Sequence, residues 1–143
     1  MLRIIVGSDH AGLSLKVHLA TRLREHGWEV EDIGTHAAAS VDYPDFAHRV
    51  ASAVGSGAHD LGLLVCGSGV GMSMAANRHA GVRAVVCGEP YSAAMARAHN
   101  DANVLCLGAR VVGQGLAEAI LDAFLQGAFE GGRHEGRVEK IEP

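Results

Sequence analysis

The chain has 143 residues, 48% of them apolar and 20% charged, and it carries a formal net charge of −4 with neutral histidines. This length favours one domain with a sizeable core, and the acidic balance argues against a nucleic-acid partner, which needs a clear basic excess. The apolar runs are too short to span a bilayer, and residues 1–7 lead directly into a strand pattern, so we expect neither membrane attachment nor a signal peptide. Three cysteines without framework spacing predict reduced thiols in the cytoplasm.

Short apolar runs alternate with longer amphipathic runs along the chain, a pattern typical of repeated strand–helix units. Strands are predicted at 2–6, 28–33, 61–66, 82–87 and 104–107. Helices are predicted at 13–26, 43–54, 69–79, 91–99 and 115–125. Residues 129–143 are polar and form a tail with room for one short helix.

This alternation predicts a three-layer α/β/α sandwich around a five-stranded, parallel, Rossmann-like sheet. We expect a strand order that begins 2-1-3 and a single domain over 1–143, with 129–143 as a C-terminal tail. Because ligands of such sheets bind beyond the carboxyl ends of the strands, the residues after each strand are candidates for a site. They are Ser8-Asp9-His10, Cys66-Gly67-Ser68, Cys87-Gly88-Glu89 and Gly108-Ala109-Arg110.

The strongest local signal is the segment Cys66-Gly67-Ser68-Gly69-Val70-Gly71, where a buried strand leads into a glycine-rich turn and a helix. Glycines allow backbone N–H groups to converge at the helix start, and such a turn binds a phosphate or a developing oxyanion. A cysteine in this position is expected to be partly thiolate and reactive. The alternatives are a nucleotide-binding loop or a plain tight turn, although the segment lacks both the G-x-G-x-x-G spacing and the lysine of a P-loop.

Position at the end of a strand does not by itself identify a reactive cysteine. Cys87 also ends an apolar run, and cysteine is commonly a small buried apolar residue. Cys106 lies within a predicted strand and is expected in the core. Cys66 is preferred because its surroundings are rich in glycine.

Several polar segments have a functional and a purely structural interpretation. Asp9-His10 follows the first strand and suits a ligand pocket, but Asp9 is equally suited to cap the next helix. His99-Asn100 ends a helix, where the helix dipole alone favours a protonated histidine. Arg133 and Arg137 lie four residues apart, so a helical tail would let them clamp a phosphate, whereas an unfolded tail would leave them solvated.

Three further predictions concern Arg110, the other histidines and two methionines. Arg110 follows the fifth strand and is expected at the same rim of the sheet as Cys66. The other histidines show no ligand spacing such as H-E-x-x-H, so we expect no metal site. Met72 and Met74, in the helix after the turn, are predicted to be core residues.

Taken together, the motifs resemble those of the type B ribose-5-phosphate isomerases and the related galactose-6-phosphate and allose-6-phosphate isomerases. The matching segments follow one another through nearly the whole chain without large gaps. They are Gly-Ser-Asp-His-Ala-Gly at 7–12, Asp-Tyr-Pro at 42–44, Cys-Gly-Ser-Gly-Val-Gly at 66–71, Ala-Ala-Asn-Arg at 75–78, Gly-Val-Arg-Ala at 81–84, His-Asn-Asp-Ala-Asn-Val-Leu at 99–105, Gly-Ala-Arg-Val-Val-Gly at 108–113 and Gly-Gly-Arg-His-Glu-Gly-Arg at 131–137.

The resemblance implies an aldose–ketose isomerase that interconverts ribose 5-phosphate and ribulose 5-phosphate through an enediolate, without a metal or an organic cofactor. Cys66 would take the C2 proton, and the Ser68 hydroxyl would help to move a proton between O1 and O2. The backbone N–H groups that would hold the negative oxygen belong to the turn and include those of Gly67, Gly69 and Gly71.

The resemblance further implies a homodimer whose two active sites are each shared between the subunits. His99 of the partner subunit would assist ring opening. The residues implied to bind the substrate are Asp9, His10, Tyr43, Asn100, Arg110, Arg133 and Arg137.

One branch of the family has no cysteine at position 66 and uses a glutamate in the helix after the turn. Met72 occupies the later position here and cannot accept a proton, so the chain fits the cysteine branch. Two alternatives stay open. One is an isomerase of a six-carbon sugar phosphate, either allose 6-phosphate or galactose 6-phosphate. The other is a non-catalytic phosphate- or nucleotide-binding module.

Overall fold

The computed structural model describes residues 2–143 and contains one five-stranded parallel sheet. The strands are β1 (Arg3–Ser8), β2 (Glu29–Asp32), β3 (Leu61–Cys66), β4 (Ala84–Val86) and β5 (Val104–Gly108). The helices are α1 (Leu13–Glu25), α2 (Tyr43–Gly55), α3 (Val70–Ala76), α4 (Pro90–Asn100), α5 (Gln114–Gln126) and α6 (Arg133–Glu139). The strand order β2-β1-β3-β5-β4 confirms the predicted parallel α/β fold and its 2-1-3 beginning. Within 2–143, no helix is both long and apolar enough to cross a bilayer.

Two apolar cores, one on each face of the sheet, produce the three layers. Successive residues of a strand point to opposite faces, so Ile4 and Val6 of β1 enter one core and Ile5 enters the other. The first core packs α1, α4 and α5 on the sheet, and the second packs α2 and α3. Cys66 belongs to the second core, so its side chain lies on the face that α2 and α3 cover.

Three elements differ from the prediction by two or more residues at one end. β1 continues through Gly7 and Ser8, because both residues still pair in register with β3. β4 has three residues instead of six, because its predicted start leaves the ladder: the Arg83 N–H donates to the Asn103 side chain at 2.7 Å. α3 ends at Ala76, three residues early, because short turn hydrogen bonds replace the helical pattern there.

The C-terminal tail folds back on the sheet. It contains α6, which packs against α4. Beyond α6, the carboxylate of Glu142 lies 3.6 Å from the guanidinium of Arg83, just before β4 begins. The tail therefore lies at the edge of the sheet where the strands start.

The topology leaves a crevice between β1 and β3. From β1 the chain crosses through α1 to β2 on one side, whereas from β3 it crosses through α3 towards β4 on the other side. The loops that follow these two neighbouring strands therefore diverge. Such a switch point is the usual ligand position in parallel sheets of this type.

A buried ion pair fixes the loop that follows β2. Lys16 Nζ is fully buried and lies 2.8 Å from Asp32 Oδ1 and 2.7 Å from the carbonyl of Thr35. The Thr35 N–H donates to the Ser8 carbonyl, and the Ser8 N–H donates to the Gly34 carbonyl, both at 2.7 Å. Lys16 thus holds the segment after β2 against the carboxyl end of β1.

Replacing Lys16 with methionine is expected to lower the free energy of unfolding by about 3 kcal/mol, because Asp32 keeps a largely buried charge without its partner. Urea denaturation at a fixed protein concentration measures this change. Lys140, which is exposed, provides the matched control: Lys140→Met should change the value by less than about 0.5 kcal/mol. Equal effects of the two substitutions would refute the role given to Lys16.

Candidate active site

A pocket of about 600 Å³ opens at the carboxyl ends of β1 and β3, in the crevice left by the topology. Four parts of the chain contribute to it: the end of β1, the start of α2, the turn after β3 with α3, and the loop after β5. The lining residues are Asp9, Tyr43, Cys66, Gly67, Ser68, Val70, Gly71, Met74, Arg110 and Val111. Most of the residues predicted to form a site with Cys66 therefore line this pocket.

The turn at 66–69 holds the Cys66 thiol against a backbone N–H group. Gly69 has a φ of 80°, a left-handed conformation that glycine adopts without steric cost, and α3 begins at the next residue, Val70. This bend directs the Gly69 N–H to Cys66 Sγ at 3.1 Å. The N–H of Val70 lies 3.3 Å from Ser68 Oγ, to which it donates. The thiol and the hydroxyl are thus both tied to the backbone of the turn at the pocket wall.

Two glycines of the turn allow large side chains to lie directly against its backbone. A Cβ on Gly71 would lie 2.7 Å from the Tyr43 hydroxyl oxygen. A Cβ on Gly67 would lie 3.3 Å from a guanidinium nitrogen of Arg110. The Arg110 N–H also donates to the Gly67 carbonyl at 3.0 Å, which fixes the loop after β5. A phenol and a cation therefore border the thiol.

Asp9 accepts a hydrogen bond from the backbone just before α1 and also lines the pocket. Its buried carboxylate accepts a hydrogen bond from the Gly12 N–H at 3.0 Å and also lines the pocket. His10 lies outside the lining and accepts a hydrogen bond from the Val41 N–H at Nδ1, at 3.2 Å. His10 therefore holds the loop before α2, which brings Tyr43 to the pocket.

The two other cysteines have different surroundings. Burial raises the pKa of Cys87 to about 11, and the nearby carboxylate of Glu89 adds to the shift. Burial likewise raises the pKa of Cys106, which lies inside β5. Both thiols stay protonated at neutral pH, and neither lines the pocket. Of the three thiols, only that of Cys66 faces the pocket.

His99 lies at the opposite edge of the sheet from Cys66. α4 runs back from the carboxyl edge, so its last turn, with His99, precedes the start of β5. Cys66 is in register with Gly108 at the end of β5, and β5 starts at Val104. The four steps between those residues span about 13 Å at a rise of 3.3 Å per residue. Within one chain, His99 and Cys66 are therefore separated by at least the length of a strand.

The other predicted residues lie near His99. Asn100 lines a separate cavity of about 520 Å³ at the edge where β4 begins. Arg133 and Arg137 are exposed on α6, one helical turn apart, as the helical interpretation of the tail required. The His99 ring stacks on the ring of His134, with centroids 4.3 Å apart. The predicted site residues thus form two groups, one at each edge of the sheet.

A family model described as Ribose/Galactose Isomerase matches residues 4–141. The chain belongs to this family. A relative from Escherichia coli (strain K12), named ribose-5-phosphate isomerase B, is 54% identical over 141 residues, which cover 99% of this chain and 95% of the relative.

Solved structures of the family share the fold closely. A ribose-5-phosphate isomerase B from Clostridium thermocellum superimposes with a TM-score of 0.97 at 54% identity, covering 98% of this chain and 95% of that one. A ribose-5-phosphate isomerase B from Mycoplasma genitalium, solved with bound ribulose 5-phosphate, gives a TM-score of 0.95 at 45% identity, covering 98% and 93% of the two chains. The agreement extends over nearly the whole of each chain.

One prediction about the pocket of this isomerase is wrong, and two further residues belong to the group around His99. Met74 is not in the core: it is 64% exposed at the pocket edge, because two positions along α3 turn it away from the buried Met72. His134 and Glu130 are not among the predicted site residues, although they lie beside His99. Their spacing of four residues was visible in the sequence, but nothing in it showed that His99 lies opposite them.

Alkylation should distinguish the three thiols of this isomerase. All three thiols are buried, but with iodoacetamide at pH 7.5 Cys66 is expected to react first, because it alone lines the pocket. Burial raises the pKa of Cys87 and of Cys106, which slows the reaction of both. Peptide mass mapping over time measures the order. In urea, as a control, the three thiols should react at similar rates. Faster labelling of Cys87 than of Cys66 in the folded protein would refute this assignment.

Proposed function

We propose that this isomerase interconverts ribose 5-phosphate and ribulose 5-phosphate, with Cys66 as the base. The observation that carries the proposal is the pocket in which the thiol, a hydroxyl and the N–H-lined turn meet. It is further supported by relatives named for this reaction. We also place the protein in the cytoplasm, because its three unpaired cysteines suit a reducing compartment.

Proton transfer would begin at the thiolate of Cys66. The thiolate removes the C2 proton of the open-chain aldose, and the electrons of that bond form the enediolate, which places negative charge on O1. The N–H groups of Gly69 and Val70 already donate to Cys66 Sγ and Ser68 Oγ, so the next N–H group of the helix start, that of Gly71, would bind this oxygen. Such an interaction is worth about 2.7–4 kcal/mol per donor in comparable sites. The Ser68 hydroxyl passes a proton from O2 to O1, and the Cys66 thiol returns its proton to C1. The ketose results with no net gain or loss of atoms.

The rest of the pocket suits the sugar. The buried carboxylate of Asp9 accepts hydrogen bonds from hydroxyl groups, and the Tyr43 phenol is available as a donor or acceptor at the rim. Arg110 supplies a fixed positive charge beside Gly67. His10 acts indirectly, through the loop that it holds. These groups orient the open chain so that C2 lies at the thiol.

The remaining groups would come from a second subunit. The Cys66 pocket lacks groups for ring opening and for phosphate binding at the far end of the sugar. The residues that would supply these functions are His99, Asn100, Arg133 and Arg137. They lie at the opposite edge of the sheet, out of reach within one chain. A two-fold homodimer that sets the carboxyl edge of one sheet against the amino edge of the other would complete two sites at once.

Two assays test the proposed reaction. Purified protein should convert ribose 5-phosphate to ribulose 5-phosphate. The kcat/KM for allose 6-phosphate should be about 10–200-fold lower, because a binding pocket discriminates by about that factor against one additional carbon unit. Cys66→Ala should lower kcat for ribose 5-phosphate by on the order of 10²–10⁴-fold. Cys87→Ala is the matched control and should keep most of the activity.

The assays separate the competing explanations. A higher kcat/KM for allose 6-phosphate would favour the six-carbon alternative. Phosphate binding without turnover of either sugar would favour a non-catalytic binding module. Full activity of a folded Cys66→Ala protein, with circular dichroism like that of the wild type, would exclude Cys66 as the base.

A further inference from the structure

Three potential metal ligands converge beside the end of α4. His99 Nε2 lies 3.7 Å from Glu130 Oε1, and His134 Nε2 lies 3.8 Å from the same oxygen. The ligand atoms of the three residues all lie within 4.8 Å of one another. We propose that His99, Glu130 and His134 form a binding site for a divalent transition-metal ion such as Zn²⁺.

The distances are close to those that a metal needs. Zn²⁺ binds nitrogen at about 2.0–2.1 Å and carboxylate oxygen at about 2.0–2.2 Å, so tetrahedral ligand atoms lie about 3.3–3.5 Å apart. Each measured contact to Glu130 Oε1 must therefore shorten by about 0.4 Å. Glu130 is 58% exposed and free to make that adjustment, whereas His134 is held in place by burial.

One ring must turn before both imidazoles can bind one ion. The rings of His99 and His134 are stacked nearly parallel, at 11°, and the lone pair of each Nε2 lies in the plane of its own ring. The His99 side chain is 37% exposed and free to turn towards Glu130, whereas His134 is buried. Two histidines and a glutamate leave a fourth position for water.

No sequence motif joins all three members of this cluster, because they come from two helices and the loop between α5 and α6. His99 ends α4, Glu130 precedes α6, and His134 is the second residue of α6. No short motif such as H-E-x-x-H joins them. Only the packing of α6 on α4 brings the three side chains together.

Bound metal would inhibit the enzyme. This step rests on the proposed function: an ion on His99 Nε2 occupies the atom that would assist ring opening. In the proposed homodimer, the ion would also lie in the active site completed by Cys66 of the other subunit. Micromolar-range metal should then slow turnover reversibly, and a chelator should restore it.

Metal binding is tested first, without reference to activity. Isothermal titration of ZnCl₂ into the full-length protein should give one site per chain, and Glu130→Gln should weaken it at least about 10-fold. Glu139→Gln, an exposed glutamate of α6, is the matched charge control and should leave the affinity unchanged. His48→Asn controls for the exposed His48–His79 pair, whose ring nitrogens lie 2.7 Å apart.

The outcomes are distinguishable. Equal Zn²⁺ affinity of wild type and Glu130→Gln, or loss of binding only in His48→Asn, would overturn the site. Inhibition by ZnCl₂ that persists in Glu130→Gln would place the inhibitory ion elsewhere, for example on the Cys66 thiol, and would overturn the inhibitory role. Binding at the cluster in a protein that turns over no sugar phosphate would keep the metal site and refute the proposed function alone.

Discussion

The parallel direction of all five strands is the constraint on which the rest of the molecule depends. Every strand ends at one edge of the sheet, and every crossover helix returns to the other edge. Cys66 therefore lies at the carboxyl edge, and His99, at the end of a returning helix, lies at the amino edge. A reaction that used both side chains would therefore require two copies of the chain, which is why we propose a homodimer.

Close packing gives the Cys66 pocket its shape. Gly12 approaches the carbonyl of Val65, and a Cβ on Gly108 would lie 2.7 Å from the carbonyl of Ser68, so neither position has room for a side chain. These contacts join the loops after β1, β3 and β5 into one unit. The buried Lys16 adds the segment after β2. The pocket around the thiol is thus built from backbone that follows four of the five strands, which suits the proposed role of Cys66 as a base aimed at one carbon.

Much of this could be predicted from the sequence, because the signals involved are local. Alternating apolar runs indicated the parallel fold, and the glycine-rich segment after β3 indicated where a reactive thiol would lie. The exposure of Met74 follows from helical spacing alone, because it lies two positions from the buried Met72. The shortness of β4 depends instead on Asn103, which is distant in sequence. The same holds for the pairing of His99 with His134, which only the packing of α6 on α4 creates. The sequence showed which residues have suitable chemistry, but not which edge of the sheet each one occupies.

Subunit complementation tests the two-chain site most directly. Cys66→Ala and His99→Ala proteins, each inactive as a homodimer, are mixed in equal amounts under conditions that allow subunit exchange, and the isomerase activity is measured. Half of the dimers are then mixed, and one of the two sites in each mixed dimer lacks both substitutions. A site shared between two chains should restore about a quarter of the wild-type activity. No recovery, with exchange confirmed by mass-tagged subunits, would contradict it and show that each site is built within one chain.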